Sequence, residues 1–487
     1  VAPFPMSAAL ATSTYGDLHW ARVGQGRWDA ATLFESLAST GPACLLESAV
    51  QPPRTGRYSI VCPTANAMVV GKGGSITFAE PGVEVARPLA GDPLHLLRRL
   101  LRERVRPGVA GLPPFQCGVV GLLSYELVRH WERLPATTVD DTGLPDLYLL
   151  VADRCVVVDH RDAVIWVMAR GEGEAGWVGE TAARLAGAPP PTVAAPPFTL
   201  ADLPRSHWRQ DEYEERVGQV LAYIRAGDIF QANLAHRFAA PVASGEAWSL
   251  YRRLRAINPA PFATFLRGAG FAVVSASPER LVRVDGRGVE SRPIAGTFPR
   301  PTGAAPLAAT TAALTRDPKE RAEHLMLVDL IRNDLGRVCL YGTVEVDELL
   351  ANERYSHVVH LVSNVRGRLH PKRDRVDVVR ACFPGGTITG VPKVRCMEIL
   401  DELEPFARGP YTGSIGYFSD AGAMDLNILI RTAVVTGGRC LFHAGGGIVA
   451  DSNPAREYRE TLHKAAALLE ALGATTGTHP SPPHPRR

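Results

Sequence analysis

An α+β fold is what this chain predicts, and three features of the sequence carry that expectation. The first half holds short β-branched runs broken by glycine, "RYSIVCP", "AMVVGKGGSITFA" and "CVVVDHRDAVIWVMA", which is the composition of half-buried strands. One amphipathic helix, "DPLHLLRRLLRERV", stands among them with leucines at helical spacing. Beyond residue 206, strands and helices alternate up to about residue 473.

At 487 residues the chain can house two or three domain-sized units or one large interleaved domain. Hydrophobic residues make up 46% and charged residues 21%, the balance of an ordinary globular protein. No apolar run approaches the roughly 18 residues needed to span a bilayer, so no membrane partner is expected. The 53 basic and 50 acidic residues are spread along the chain and leave a formal charge of +3, so no basic field marks nucleic acid as a partner. Eight scattered cysteines, none in a C-x-x-C pair, read as reduced, buried thiols. The segment "VAPFPMSAAL" lacks the basic region and apolar core of a signal peptide, and the expected location is the cytoplasm.

The Pro/Ala-rich stretch 186–206 has no helical or alternating period and predicts a linker. It separates an N-terminal α+β region, 1–185, from a second region, 207–473. The polar, Pro-rich end, 474–487, predicts a disordered tail.

Three helices of the second region bear on chemistry. In "DEYEERVGQVLAYIRAGD", Tyr213, Val217, Val220, Leu221 and Ile224 form an apolar stripe, and Gly227 supplies the stop before a strand at "IFQANLAHRF". In "RDPKERAEHLMLVDLIRNDLGRV", Asp317, Pro318 and Glu320 suit a capped start. That register puts Glu323 on one face with Leu327 and Leu330. A buried carboxylate there needs a metal, a cation or a proton. In "NPAREYRETLHKAAALLEALG", Tyr458, Leu462, Ala465, Leu469 and Leu472 predict the buried stripe, while Glu457, Glu460, Thr461 and Lys464 line a neighbouring face.

Glu323 and Glu460 together would make an oxygen-rich pair suited to Mg²⁺; a solvated, ion-paired helix face is the plainer alternative. The run Gly445 to Gly447 in "FHAGGGIVADS" would let backbone N–H groups approach an anion, or is simply a glycine-rich turn. Arg431, within the apolar run "MDLNILIRT", predicts an inward arginine facing a structural carboxylate or an anionic ligand. His357 and His360 have no cysteine or third histidine to complete a metal set, which leaves a core role or proton transfer. "FPGGTITGVPKVRCMEI" reads as a glycine turn entering a helix.

The ordered set "GDIFQANLAHRF", "SASPERLV", "RPIAGTFPR", "ERAEHLMLVDLIRNDLGRV", "ERYSHVVHLVSNV", "FPGGTITGVPKVRCMEI", "GSIGYF", "MDLNILIRT" and "AGGGIVADSNPAREYRET" closely resembles the chorismate-utilising enzymes, over about residues 210 to 470. The first half matches more loosely, through "CLLESAVQPPRTGRYSI" and "GVVGLLSYEL". The resemblance implies the anthranilate synthase component I-like fold, two large antiparallel sheets face to face with helices outside, and Mg²⁺-dependent chemistry on chorismate. By position it implies Glu323 and Glu460 as Mg²⁺ ligands, with Glu279 and Glu457 as nearby acids. It implies Arg431, Tyr411, Gly445, Gly447 and Lys464 as substrate-binding residues, and His360 and Thr387 beside the reacting ring. Gly446 stands where the usual pattern has alanine.

Gln231 occupies the place where water-using members carry a lysine, which implies ammonia as nucleophile. Nothing resembles a glutaminase module, so a separate glutamine amidotransferase subunit is the implied source. Ala295, in "PIAGT", replaces the lysine of typical aminodeoxychorismate synthases and favours anthranilate as product, as do Thr387 and the segment "ERYSHV". "FQANL" with Asn233, "FPGGTITG", "GSIGY" and "MDLNILIRT" favour aminodeoxychorismate. The wider set points to an aminodeoxychorismate synthase component I, with anthranilate synthase component I as the alternative. Glu47 and Ser48, in "LLES", resemble the family's tryptophan pocket. A non-catalytic subunit on the same fold is the third reading, and the intact acids argue against it.

Overall fold

The computed structural model describes residues 12–52, 54–80, 87–190, 196–299, 318–354 and 358–474. Among these, one sheet has 14 strands and a second has 12. Their ladders are antiparallel, as expected for a two-sheet α+β fold. The two sheets pack face to face. Leu18, Cys44, Ile60 and Val157 of the first sheet meet Val120, Leu122, Tyr148 and Leu150 of the second in one shared apolar layer.

Side-chain alternation decides how this layer is filled. In the strands Gly118–Leu123 and Leu147–Ala152 every residue is buried. Val120, Leu122, Tyr148 and Leu150 point between the sheets, whereas Val119, Leu123, Leu147 and Leu149 point to the outer core beneath the helices. Both faces of these strands are dry, which explains their unbroken apolar sequence. All eight cysteines are free and buried, as expected, and Cys44, Cys62, Cys117 and Cys155 lie in the layer between the sheets.

The Pro/Ala-rich stretch does not separate two cores. Ala43–Glu47 of the first half pairs with Phe262–Arg267 of the second in one sheet, and Gly118–Leu123 pairs with Ser414–Ser419 in the other. Within the stretch itself, Thr199–Leu200 and Arg205–Ser206 pair with the long strand Gln231–Ser244. The expected tail, from 475 onward, lies outside the described residues, and Ala474 is buried.

The helix Pro93–Arg104 forms as its pattern predicts, with Asp92 accepting from the Leu94 and His95 N–H groups at 2.9 and 3.1 Å. Two further helices in the first half, Ala30–Leu37 and Glu174–Ala186, escape the pattern. The second contains Gly176 and Gly179 and buries small residues, Thr181 and Ala182, beside Val178 and Leu185, so its apolar stripe is faint in sequence. Helix Gln210–Ala226 ends on Gly227 at φ 83°, the left-handed stop its sequence calls for. No helix among the described residues is long and apolar enough to cross a membrane.

Candidate active site

The strands Gln231–Ser244 and Arg439–Ile448 lie side by side, with Asn233 opposite Gly447, Leu234 opposite Gly446 and Ala235 opposite Gly445. The three glycines are therefore strand residues, and a turn is the wrong reading of "AGGGI". Directly opposed residues share a face and successive residues alternate. Gln231, Asn233, Gly445 and Gly447 thus look to one side, and Gly446 to the other.

Each glycine leaves room for a particular neighbour. A Cβ at Gly447 would stand 2.4 Å from Gln231 Nε2, and one at Gly445 would stand 2.9 Å from Asn233 Oδ1. On the opposite side, a Cβ at Gly446 would meet Glu457 Oε2 at 3.7 Å, Lys464 Nζ at 3.8 Å and Glu460 Oε1 at 4.0 Å. Lys464 Nζ also donates to the Gly445 carbonyl at 3.2 Å and pairs with Glu460 at 2.9 Å.

These contacts allow a clean comparison. Gly445→Ala would press its methyl to 2.8 Å from the Leu234 carbonyl oxygen and the Ala235 Cβ, and is expected to destabilise the protein by about 1–3 kcal/mol. Gly446→Ala meets only ordinary contacts and restricts the unfolded chain, so its stability is expected to match or exceed the wild type by up to about 1 kcal/mol. Parallel thermal melts check both, and equal melting temperatures would overturn the contrast.

Glu457, Glu460 and Lys464 come from helix Pro454–Ala471, where Ala465 and Leu469, with Leu472 just beyond, are buried as expected. The first two turns depart from expectation: Glu457 and Thr461 are buried, while Tyr458 and Leu462 are only half-buried. The cause is polar. His236, on the neighbouring strand, holds Thr461 Oγ1 at 2.8 Å through Nε2 and Ser206 Oγ at 2.8 Å through Nδ1, and this pins the helix with Glu457 turned inward.

A second group gathers around Glu279, which is 4% exposed. Its Oε1 accepts from the Ile294 N–H at 3.4 Å, and its backbone carbonyl accepts from the Ile428 N–H at 3.0 Å. Burial pushes its carboxyl up to about 7, against the opposing pull of the Thr387 hydroxyl, the Ile294 N–H and the positive charge of Arg431. The Asn233 side-chain NH₂ donates to the Thr387 carbonyl at 3.4 Å, which links this group to the amide side of the glycine strand. Tyr411 joins the same side by stacking on His443, with ring centroids 4.9 Å apart and planes 13° from parallel.

Arg431 is not inside a strand. It closes the irregular stretch between Met424–Asn427 and Thr432–Thr436 and holds a left-handed φ of 52°, unusual for a residue with a side chain. Its carbonyl accepts from the Ala276 N–H at 3.1 Å. His360, 2% exposed, lies in strand Val358–Arg368 opposite Thr297. Ala295 stands in the adjoining strand Ile294–Pro299, one residue beyond the N–H that meets Glu279. His357 and Asp317 lie outside the described residues.

Glu323 is half-buried on helix Pro318–Gly336. That helix packs closely on the short turn Gly386–Ile388: a Cβ at Gly386 would stand 2.3 Å from Leu330 Cδ2, so a larger residue there would have to displace the leucine side chain. Lys393 adds a polar tie, bonding Asp334 at 2.7 Å and the Cys382 carbonyl at 3.3 Å. No cluster of three His, Cys, Asp or Glu side chains with metal-binding spacing occurs among the described residues. The Glu457 and Glu460 carboxylates over Gly446 are nevertheless the donor type and number that Mg²⁺ takes from a protein, waters and substrate oxygens filling the rest.

Two buried acceptors on the amide side, Gln231 Oε1 and Asn233 Oδ1, have no hydrogen-bond partner. Gln231 is 5% exposed and Asn233 8%. Buried polar atoms in this condition call for a ligand that donates hydrogen bonds. In sequence Asn233 stands out only as a family marker; its place in the site follows once Gln231 is assigned, because residues two apart on a strand share a face.

Glu47 and Ser48 lie elsewhere, in a cleft of about 980 Å³ between the sheets that is also lined by Arg57, Arg280, Asp425 and Asn427. Glu47 accepts from Tyr251 at 2.6 Å and Arg255 at 2.8 Å, and Ser48 donates to the Tyr58 carbonyl at 2.8 Å.

The profile of the chorismate binding enzyme family matches residues 51–470. A Synechocystis sp. protein named anthranilate synthase component I-like protein is 48% identical over 361 residues, 74% of this chain and 73% of that one. Aminodeoxychorismate synthase component 1 of Bacillus subtilis is 41% identical over 456 residues, 90% of this chain and 93% of that one. Among solved structures, anthranilate synthase component I from Streptococcus pneumoniae is similar at a TM-score of 0.75 and 31% identity, covering 86% of this chain and 93% of that one.

Proposed function

This chain belongs to the chorismate binding enzyme family, and from that premise we propose that it aminates chorismate with ammonia to give 4-amino-4-deoxychorismate. The observation that carries ammonia as the nucleophile is the amide pair Gln231 and Asn233, with two buried, unpartnered carbonyl oxygens on the side of the glycine strand away from Glu457 and Glu460; the choice of 4-amino-4-deoxychorismate follows the wider motif set. Water must lose a proton to attack, and an amide cannot take one. Free ammonia attacks unaided, and its N–H groups satisfy amide oxygens.

Glu279, with its carboxyl held near 7, supplies the proton that lets the ring hydroxyl depart as water. The carbon–oxygen bond breaks, the carbon–nitrogen bond forms, and the surplus ammonium proton returns to the Glu279 carboxylate. Arg431, Tyr411 and Lys464 bind and orient the substrate carboxylates. His360 and Thr387 flank the ring. Mg²⁺ held by Glu457 and Glu460 would supply Lewis-acid stabilisation of substrate oxygens, and Glu323, which among the described residues forms no three-acid cluster with them, would act through the waters of the ion. A separate glutamine amidotransferase subunit would deliver ammonia.

Ala295 supports a second reading, anthranilate and pyruvate as products, because it offers no nucleophile for a covalent adduct. Incubation with chorismate, Mg²⁺ and an ammonium salt, followed by mass spectrometry, separates the two. The expected product is aminodeoxychorismate, which an added lyase converts to 4-aminobenzoate. Anthranilate with pyruvate would replace the first reading by the second, and unchanged chorismate would remove both.

A further inference from the structure

Arg408 lies between helix Lys393–Leu403 and strand Ser414–Ser419, and it is 3% exposed. Its guanidinium forms a fork with Glu404, Nε to Oε2 at 2.8 Å and Nη2 to Oε1 at 2.6 Å. The other bonds reach two distant segments and one nearby residue: Nη2 to the Asn233 carbonyl at 2.7 Å, Nη1 to the Ile388 carbonyl at 2.9 Å, and Nη1 to the neighbouring Thr412 Oγ1 at 3.3 Å. Glu404 Oε1 adds a bond from the Ala235 N–H at 3.0 Å. On the main-chain side, Glu126 accepts the N–H groups of Arg408 and Gly409, each at 2.9 Å. The rings of Tyr125 and Tyr411 lie 5.1 and 5.6 Å from the guanidinium carbon.

The segments that meet at this one cation are those that carry the site. Asn233 and Ala235 bracket the stretch opposite the glycines, Ile388 follows Thr387, and Thr412 follows Tyr411. The contacts are made to main-chain groups of the first two segments, so Arg408 fixes where their side chains start from. Stability alone does not account for the arrangement, because a buried ion pair can often be replaced by apolar residues at little or no loss. Lysine could not reproduce it, since a point charge with three donors cannot hold a carboxylate bidentately and two carbonyls in fixed directions.

We propose that Arg408, charge-balanced by Glu404, is a positioning residue that holds Asn233, and with it Gln231, in the orientation that receives the nitrogen nucleophile. The inference rests on the reading of this site as a chorismate-aminating centre. Two variants test it: Arg408→Lys, and the apolar pair Arg408→Met with Glu404→Leu, which leaves no buried charge behind.

Both are expected to raise the KM for ammonium at least tenfold, more than any rise in the KM for chorismate that follows from the Tyr411 contact, and to lower kcat at least thirtyfold. Simple loss of folded protein lowers apparent kcat and leaves both KM values unchanged, so the ammonium KM separates positioning from structural damage. A folded variant, by thermal melt, with wild-type KM for ammonium overturns the inference; should the pair variant fail to fold, Arg408→Lys alone decides. A wild type that consumes no chorismate removes the functional reading itself, whereas an active wild type alongside an unimpaired variant removes only the role of Arg408.

Discussion

Glu279→Gln is expected to lower turnover by about a hundredfold to ten-thousandfold, the usual worth of a general acid, and to raise the melting temperature at pH 8. The second effect follows from the burial that makes the first possible. In the unfolded chain the carboxyl titrates at its ordinary 4.5, and in the folded protein at about 7. The folded state therefore holds the extra proton between those values, and stability falls as pH rises from about 4.5 through about 7. Above that range the buried charge costs about 3 kcal/mol. Glutamine is neutral throughout and keeps an oxygen for the Ile294 N–H, so it removes the cost. At a fixed concentration of free ammonia, the wild-type rate should fall with a midpoint near 7 as Glu279 loses its proton, and the variant should lack that limb. A variant with wild-type turnover would remove Glu279 from the chemistry.

Arg431→Gly is expected to show a similar opposition between activity and stability. A left-handed backbone costs a residue with a Cβ about 1–2 kcal/mol and costs glycine almost nothing, and Arg431 sits at φ 52°. The glycine variant should accordingly be at least as stable as the wild type. Loss of a charge-assisted pair with a substrate carboxylate removes about 2–4 kcal/mol of binding, or roughly thirty- to a thousandfold in kcat/KM. Arg431→Met, which keeps the strained backbone and loses the charge, should match that kinetic defect without the gain in stability. Kinetics and thermal melts on the two variants distinguish backbone from side chain; a glycine variant with wild-type kcat/KM would deny Arg431 its role in binding.

The strands were legible because alternation and β-branching report burial directly, as in "CVVVDHRDAVIWVMA", which forms Arg154–Asp159 and Val164–Arg170. Their partners were not, since nothing in a period of two says which strand lies alongside. Ala43–Glu47 finds Phe262–Arg267 across the whole intervening first half, and the Pro/Ala-rich stretch looked like a boundary for want of that information. Helix Pro454–Ala471 shows the same limit on a smaller scale. Tyr458 and Leu462 were the better apolar anchors on paper, and only His236, distant in sequence, turns Thr461 and Glu457 inward.

In the candidate site, the ordered motifs picked out Glu279, Thr387, Arg431 and the α-helical acids. Residue chemistry alone reached the pair of acids, the glycine run and an arginine facing either a structural carboxylate or an anionic ligand. Arg408 carried no signal, because two of its partners, Glu404 and Thr412, are near in sequence while Ile388 and above all Asn233 come from other parts of the chain.

The sharing of both sheets between the halves has a consequence for synthesis of the chain. When the first half leaves the ribosome, the strands Ala43–Glu47 and Gly118–Leu123 each have one edge whose partner is not yet made. At ordinary rates of translation, the edge awaiting Ser414–Ser419 stays open for tens of seconds. Both exposed strands are almost wholly apolar, the kind of edge that recruits other nascent chains. Expression of this protein should therefore respond to chaperone capacity and growth temperature more than its folded stability would suggest, and a fragment ending in the Pro/Ala-rich stretch should aggregate rather than fold.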